Sequence, residues 1–220
     1  MSAGANSYKN MPNTPPPLAP AINLDQQFWD TCYLSDTTGW DMGMVSPPLR
    51  RLFDGITPAK RQTMRVLIPG CGNAHEAEYL INNGFGNVTL IDISPTLVDR
   101  LREKFAGYTE KMTIIHADFF AYQPSHLYDL IVEQTFFCAI NPLSRKAYIE
   151  KMHQLLASEG KLAGLLFDRI FDKPGPPFGG FRADYVELFQ TLFAIDILSP
   201  CPDSHVARQG TELFFTFSKK

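Results

Sequence analysis

From about residue 65 onward, short apolar runs alternate with stretches whose apolar residues recur every three or four positions. The runs at 65–68, 88–92, 112–116, 127–133 and 161–167 read as strands, and 127–133 is nearly continuous, as a strand buried on both faces requires. Between them, helical spacing appears from about 74 to 83, ending at Gly84. It appears again behind Ser94-Pro95 with Leu97, Val98, Leu101 and Phe105 on one face. Tyr148, Met152, Leu155 and Leu156 mark a further helix that leaves through Ser158-Glu159-Gly160. A proline- and glycine-rich loop over 172–180 leads into a helix over 182–190, and the chain ends in two strands at 194–198 and 212–218. Upstream, Leu24, Phe28 and Cys32 share a helical face over about 24–35, and Ser46-Pro47 opens a helix running to about 54. Strands alternating with helices predict a doubly wound α/β sheet, and the terminal strand pair without a helix between predicts a closing hairpin.

Composition narrows the setting. Residues 1–20 carry Pro12, Pro15, Pro16, Pro17 and Pro20 among small polar residues, which predicts an extended, flexible tail before a single domain over 21–220. The net charge of −3, without any basic run, speaks against a nucleic-acid partner. No apolar stretch approaches the ~18 residues a membrane span needs, and no secretory leader is readable. The four cysteines, Cys32, Cys71, Cys138 and Cys201, form no CxxC pair, so they predict reduced thiols, no metal site and a cytoplasmic protein. A monomer is expected.

The chemistry gathers where strands end. Gly70 and Gly72 follow the first strand, turn the backbone sharply and leave room for a ligand. A dinucleotide loop would place a third glycine at position 75, which is His75, and the alternative G-x-G-x-G spacing meets Ala74. Asp92 ends the second strand, where a carboxylate can accept both hydroxyls of an unphosphorylated ribose. Asp118 and Phe119 follow the third strand, placed to meet an adenine amine and its ring. No Lys-Ser/Thr pair follows the glycines to hold a triphosphate, and no serine nucleophile elbow is present. A ligand with ribose and adenine but no phosphate is S-adenosylmethionine. A nicotinamide dehydrogenase is disfavoured by His75, and a binding module without turnover stays open.

The stretches Phe28-Trp29-Asp30, Tyr33, Thr38-Gly39-Trp40-Asp41-Met42-Gly43 and Pro47-Pro48-Leu49 resemble the opening of the thiopurine S-methyltransferase superfamily. The resemblance continues through Leu67 to Gly72, Asp92-Ile93-Ser94, Phe136 to Ile140 and Gly175-Pro176-Pro177-Phe178, the last two being similar to the thiol, thiocyanate and halide methyltransferase branch. It implies a seven-stranded Rossmann-like methyltransferase sheet with an antiparallel final strand. It also implies S-adenosylmethionine contacts at Trp29, Tyr33, Trp40, Gly70, Asp92, Asp118, Phe119 and Gln134, with Glu133 as a further candidate and S-adenosylhomocysteine as product. Gly72 joins this set from the turn itself. Tryptophan faces suit the sulfonium cation.

The expected reaction is methyl transfer to a small acceptor, a thiol sulfur first, with a thiopurine-like heterocycle or a small anion such as thiocyanate or halide as alternatives. A thiol with a pKa of roughly 8.5 is partly ionised near neutrality, so no general base is singled out. Substrate-side candidates are Phe137, Phe167, Arg169, Phe178, Arg182 and Arg208. Where the halide and thiocyanate enzymes share a tyrosine after the fifth strand, this chain has Phe167, which removes a donor to a small anion and speaks against halide chemistry.

Overall fold

Seven strands hydrogen-bond in the order β3-β2-β1-β4-β5-β7-β6 in the computed structural model, which describes residues 22–220. They are β1 (Arg65–Pro69), β2 (Asn87–Asp92), β3 (Met112–His116), β4 (Tyr128–Gln134), β5 (Leu156–Phe167), β6 (Phe193–Pro200) and β7 (Glu212–Lys219). The first five are parallel, and β7 runs antiparallel to both β5 and β6. This is the doubly wound sheet with an antiparallel last strand, and the closing pair is a hairpin as its pattern predicts. The tail expected over residues 1–20 lies outside the described residues.

Alternation along the strands feeds two apolar layers. Val66, Ile68, Val88 and Leu90 pack on one side with residues of α2 (Pro47–Asp54), α4 (His75–Asn82) and α5 (Pro95–Lys104). Leu67, Ile91, Ile131 and Leu162 pack on the other with α6 (Arg145–Leu155) and α7 (Arg182–Phe189). A first helix, α1 (Gln26–Leu34), lies against α5, and a short α3 (Pro58–Thr63) precedes β1.

Two boundaries depart from the pattern. The helix α3 has no apolar face and no buried residue, so periodicity carries no trace of it; Thr57 precedes it as N-cap, with Pro58 in its first turn. The strand β5 begins at Leu156, through the Ser158-Glu159-Gly160 stretch expected as a helix exit. Those residues lie beside a register shift between Tyr128 and Leu130, where the ladder bulges and tolerates a polar run.

Candidate active site

The carboxyl ends of β1, β2, β3 and β4 open onto one cleft of about 1180 Å³. Pockets for a drug-sized ligand span roughly 300–1,000 Å³, so this one has room for a nucleoside-sized group and a small second molecule. Its floor is the turn after β1. Gly70, Gly72 and Ala74 all adopt positive φ, at +56°, +51° and +57°. A Cβ on Gly70 would stand 2.3 Å from the Phe136 ring, so the close approach of that ring requires glycine. Ala74 holds the left-handed geometry that a third glycine would supply.

Asp92 is buried at the end of β2. One oxygen accepts the Ser94 N–H at 3.0 Å and the other the Gly72 N–H at 3.4 Å. Burial outweighs these bonds and pushes its pKa up to about 6. Asp118 is exposed after β3 and accepts the Phe120 N–H at 2.9 Å, while Phe119 is buried against Phe136 with ring centroids 5.1 Å apart. Gln134, ending β4, has both amide atoms buried without any protein partner, and its side chain lines the cleft. A buried amide left unpaired is unfavourable, so this one has hydrogen-bonding capacity that the protein itself does not use.

The N-terminal segment forms the other wall. Trp40 meets Trp29 and Tyr33 edge-on at 5.6 and 5.8 Å, and all three line the cleft. Beyond β4 the lining changes character. Phe167, Phe171, Arg169, Lys173 and Arg208 appear there. Arg208 is buried; it bonds Glu212 at 3.3 Å, donates to the Trp40 carbonyl at 2.7 Å and lies 5.4 Å from the Phe167 ring centre.

The cleft therefore brings together Trp29, Tyr33, Trp40, Gly70, Gly72, Asp92, Asp118, Phe119, Gln134, Phe167, Arg169 and Arg208. Four expected residues lie elsewhere. Glu133 faces away from the cleft: its carboxylate accepts the N–H groups of Phe136 and Phe137, each at 2.8 Å, and the Tyr148 hydroxyl at 2.5 Å. Phe137 is a core ring packed on Tyr148, Tyr185 and Phe189. Phe178 donates its N–H to the Cys138 carbonyl without lining the cleft. Arg182 reaches back to the Leu198 carbonyl at 2.8 Å. Cys71 and Cys138 are buried, which raises both thiols, Cys138 to about 12, so neither is a ready nucleophile.

Sequence reasoning missed how the walls are joined. Asp30 on α1 accepts from Ser94 and Thr96, and Asp41 meets Asn73 and His75. The available signal was that each aspartate directly follows one of the chain's 2 tryptophans.

Against known proteins, the model of the family described as thiopurine S-methyltransferase matches residues 24–214. Thiocyanate methyltransferase 1 of Brassica oleracea is 29% identical over 192 residues, covering 86% of this chain and 83% of that one. A probable thiol methyltransferase 2 of Arabidopsis thaliana is 31% identical over 167 residues, covering 74% and 72%. Among solved structures, a Burkholderia thailandensis 1,6-didemethyltoxoflavin-N1-methyltransferase superposes with a TM-score of 0.70 at 15% identity, over 89% of this chain and 87% of that one. At that identity the likeness speaks for the fold.

Proposed function

Since the chain belongs to the thiopurine S-methyltransferase family, we propose that this S-adenosylmethionine-dependent methyltransferase acts on the sulfur of a small thiol. The observation that carries the choice is the cationic, aromatic lining beyond β4, where Arg169, Lys173 and Arg208 stand beside Phe167 and Phe171. Arg208 is paired with Glu212, whereas Arg169 and Lys173, which follow Asp168 and Asp172 in the chain, form no ion pair among the described residues. An acceptor entering there meets positive charge, which favours the ionised form of a nucleophile. A thiol with a pKa of roughly 8.5 can use that help, whereas an alcohol would need a strong base. The names of the relatives, thiocyanate and thiol methyltransferases, support sulfur chemistry.

When bound, S-adenosylmethionine supplies a methyl group activated as a sulfonium. The protein's part is placement. Asp92 is positioned to accept both ribose hydroxyls, Asp118 and Phe119 to meet the adenine, and the Gln134 amide to take a polar group of the methionyl end. Trp29 and Trp40 exclude water and present their rings to the cation. The arginine side holds the thiolate while the site aligns it.

The test is an acceptor panel: aliphatic and aromatic thiols, thiocyanate, iodide and a thiopurine, with methylated products read by mass spectrometry. A thiol is expected to give the highest kcat/KM. Turnover of iodide or thiocyanate without any thiol would overturn the choice.

Binding should also depend on pH. Asp92 must be ionised to accept two hydroxyls, so S-adenosylhomocysteine affinity is expected to fall by up to about tenfold per unit as pH drops below about 6. The ligand-free fold responds in the opposite sense. Because the folded carboxyl holds its proton more tightly than the unfolded one, its stabilisation is complete below the unfolded pKa and is lost as pH rises through about 6. Calorimetry between pH 5 and 8 reads the first effect; a flat affinity would remove Asp92 from that role.

A further inference from the structure

Each of the 2 tryptophans in the chain is followed by an aspartate. Trp29-Asp30 lies on α1 and Trp40-Asp41 in the loop beyond it. The indoles turn to each other over the cleft, and the carboxylates turn outward to the sheet frame. Asp30 Oδ1 accepts the Ser94 hydroxyl at 2.6 Å and the Thr96 N–H at 2.9 Å, in the first turn of α5 just past Asp92. Asp41 Oδ1 lies 2.8 Å from His75 Nε2 and accepts the Gly43 N–H at 2.7 Å, while Asn73 Nδ2 donates to its other oxygen. Asn73 and His75 belong to the start of α4. The two anchors are thus the helix starts that follow β1 and β2, whose exposed N–H groups carry partial positive charge.

We propose that Asp30 and Asp41 are paired positioning residues: they clasp the N-terminal segment to the starts of α5 and α4, hold both indoles over the cofactor and set the rate of S-adenosylhomocysteine release. The proposal rests on the cofactor occupying this cleft and is independent of the acceptor. Both carboxylates are held below the usual range: burial alone would raise them, and their hydrogen bonds outweigh it. The two clasps differ in chemistry. Both donors to Asp30 reach one oxygen, so asparagine retains an acceptor there. Asp41 uses both oxygens, so asparagine would set an amide nitrogen against the Asn73 amide nitrogen.

The experiment is stopped-flow dissociation of S-adenosylhomocysteine from the full chain, followed by indole fluorescence. Asp30→Ala and Asp41→Asn are each expected to speed release about tenfold, the scale of one lost charge-assisted contact, with Asp30→Asn intermediate. KM for S-adenosylmethionine should rise by more than kcat falls, a split that a general loss of structure would not give. Asn73→Ala breaks the second clasp from the other side and carries the same test if Asp41→Asn folds poorly. Its effect combined with Asp41→Asn should be less than multiplicative, because both remove one contact. Release within twofold of wild type in Asp30→Ala, Asp41→Asn and Asn73→Ala, or fully multiplicative Asp41/Asn73 effects, would overturn the clasp. Failure of the wild type to bind S-adenosylhomocysteine would instead sink the cleft assignment itself.

Discussion

Asp92→Ala is expected to raise the Kd for S-adenosylhomocysteine at least about a hundredfold, since two hydrogen bonds to one carboxylate are worth roughly 3 kcal/mol or more together. The loss has two parts. The ribose loses its acceptor, and the Gly72 and Ser94 N–H groups lose the oxygens that hold them at 3.4 and 3.0 Å. The second part loosens the glycine turn under the ligand. The fold should survive, because a carboxyl raised to about 6 by burial is already a strained guest in the ligand-free protein. Asp92→Asn keeps one acceptor oxygen and should fall between. Calorimetry gives the affinities and thermal unfolding shows that the alanine variant is folded. A Kd within threefold of wild type in a folded Asp92→Ala protein would contradict the assignment.

The same residue shows why parts of this site were legible in the sequence. Asp92 ends a strand run that is apolar apart from Thr89, and a carboxylate at a strand end in an α/β pattern has few purely structural uses. The glycine turn was legible for a similar reason, although Ala74 hides the third position: its φ of +57° keeps the geometry while the residue name changes. Adjacent strand residues point to opposite faces, so Glu133 and Gln134 could not both face the ligand. The linear sequence carries no register, so it does not say which of the two faces the cleft. Phe136 and Phe137 follow in the turn beyond the strand, where the first lines the cleft and the second is a core ring. Arg208 was named from its charge, but its contact with the Trp40 carbonyl joins parts of the chain far apart in sequence, and no local pattern encodes that.

Glu133→Ala should destabilise the protein by about 4 kcal/mol, lowering Tm by about 10 °C, the scale set by leaving several buried donors unpaired. The carboxylate is almost wholly buried and gathers the Phe136 and Phe137 N–H groups and the Tyr148 hydroxyl. Those bonds close a turn in which Thr135 sits at φ +60°, an unfavourable region for a β-branched residue by about 1–3 kcal/mol. Alanine leaves the strain and removes what holds it, so Gln134 and Phe136 lose their placement in the cleft as well. Glu133→Gln keeps an oxygen for the two N–H groups and should recover much of the stability. Burial pushes Glu133 up to about 7, so its stabilisation is complete below the unfolded pKa and lost as pH rises through about 7. The gap in Tm between wild type and Glu133→Gln should therefore narrow from pH 5 to pH 8. An alanine variant as stable as wild type, or a gap that widens with pH, would show that the turn stands without this carboxylate.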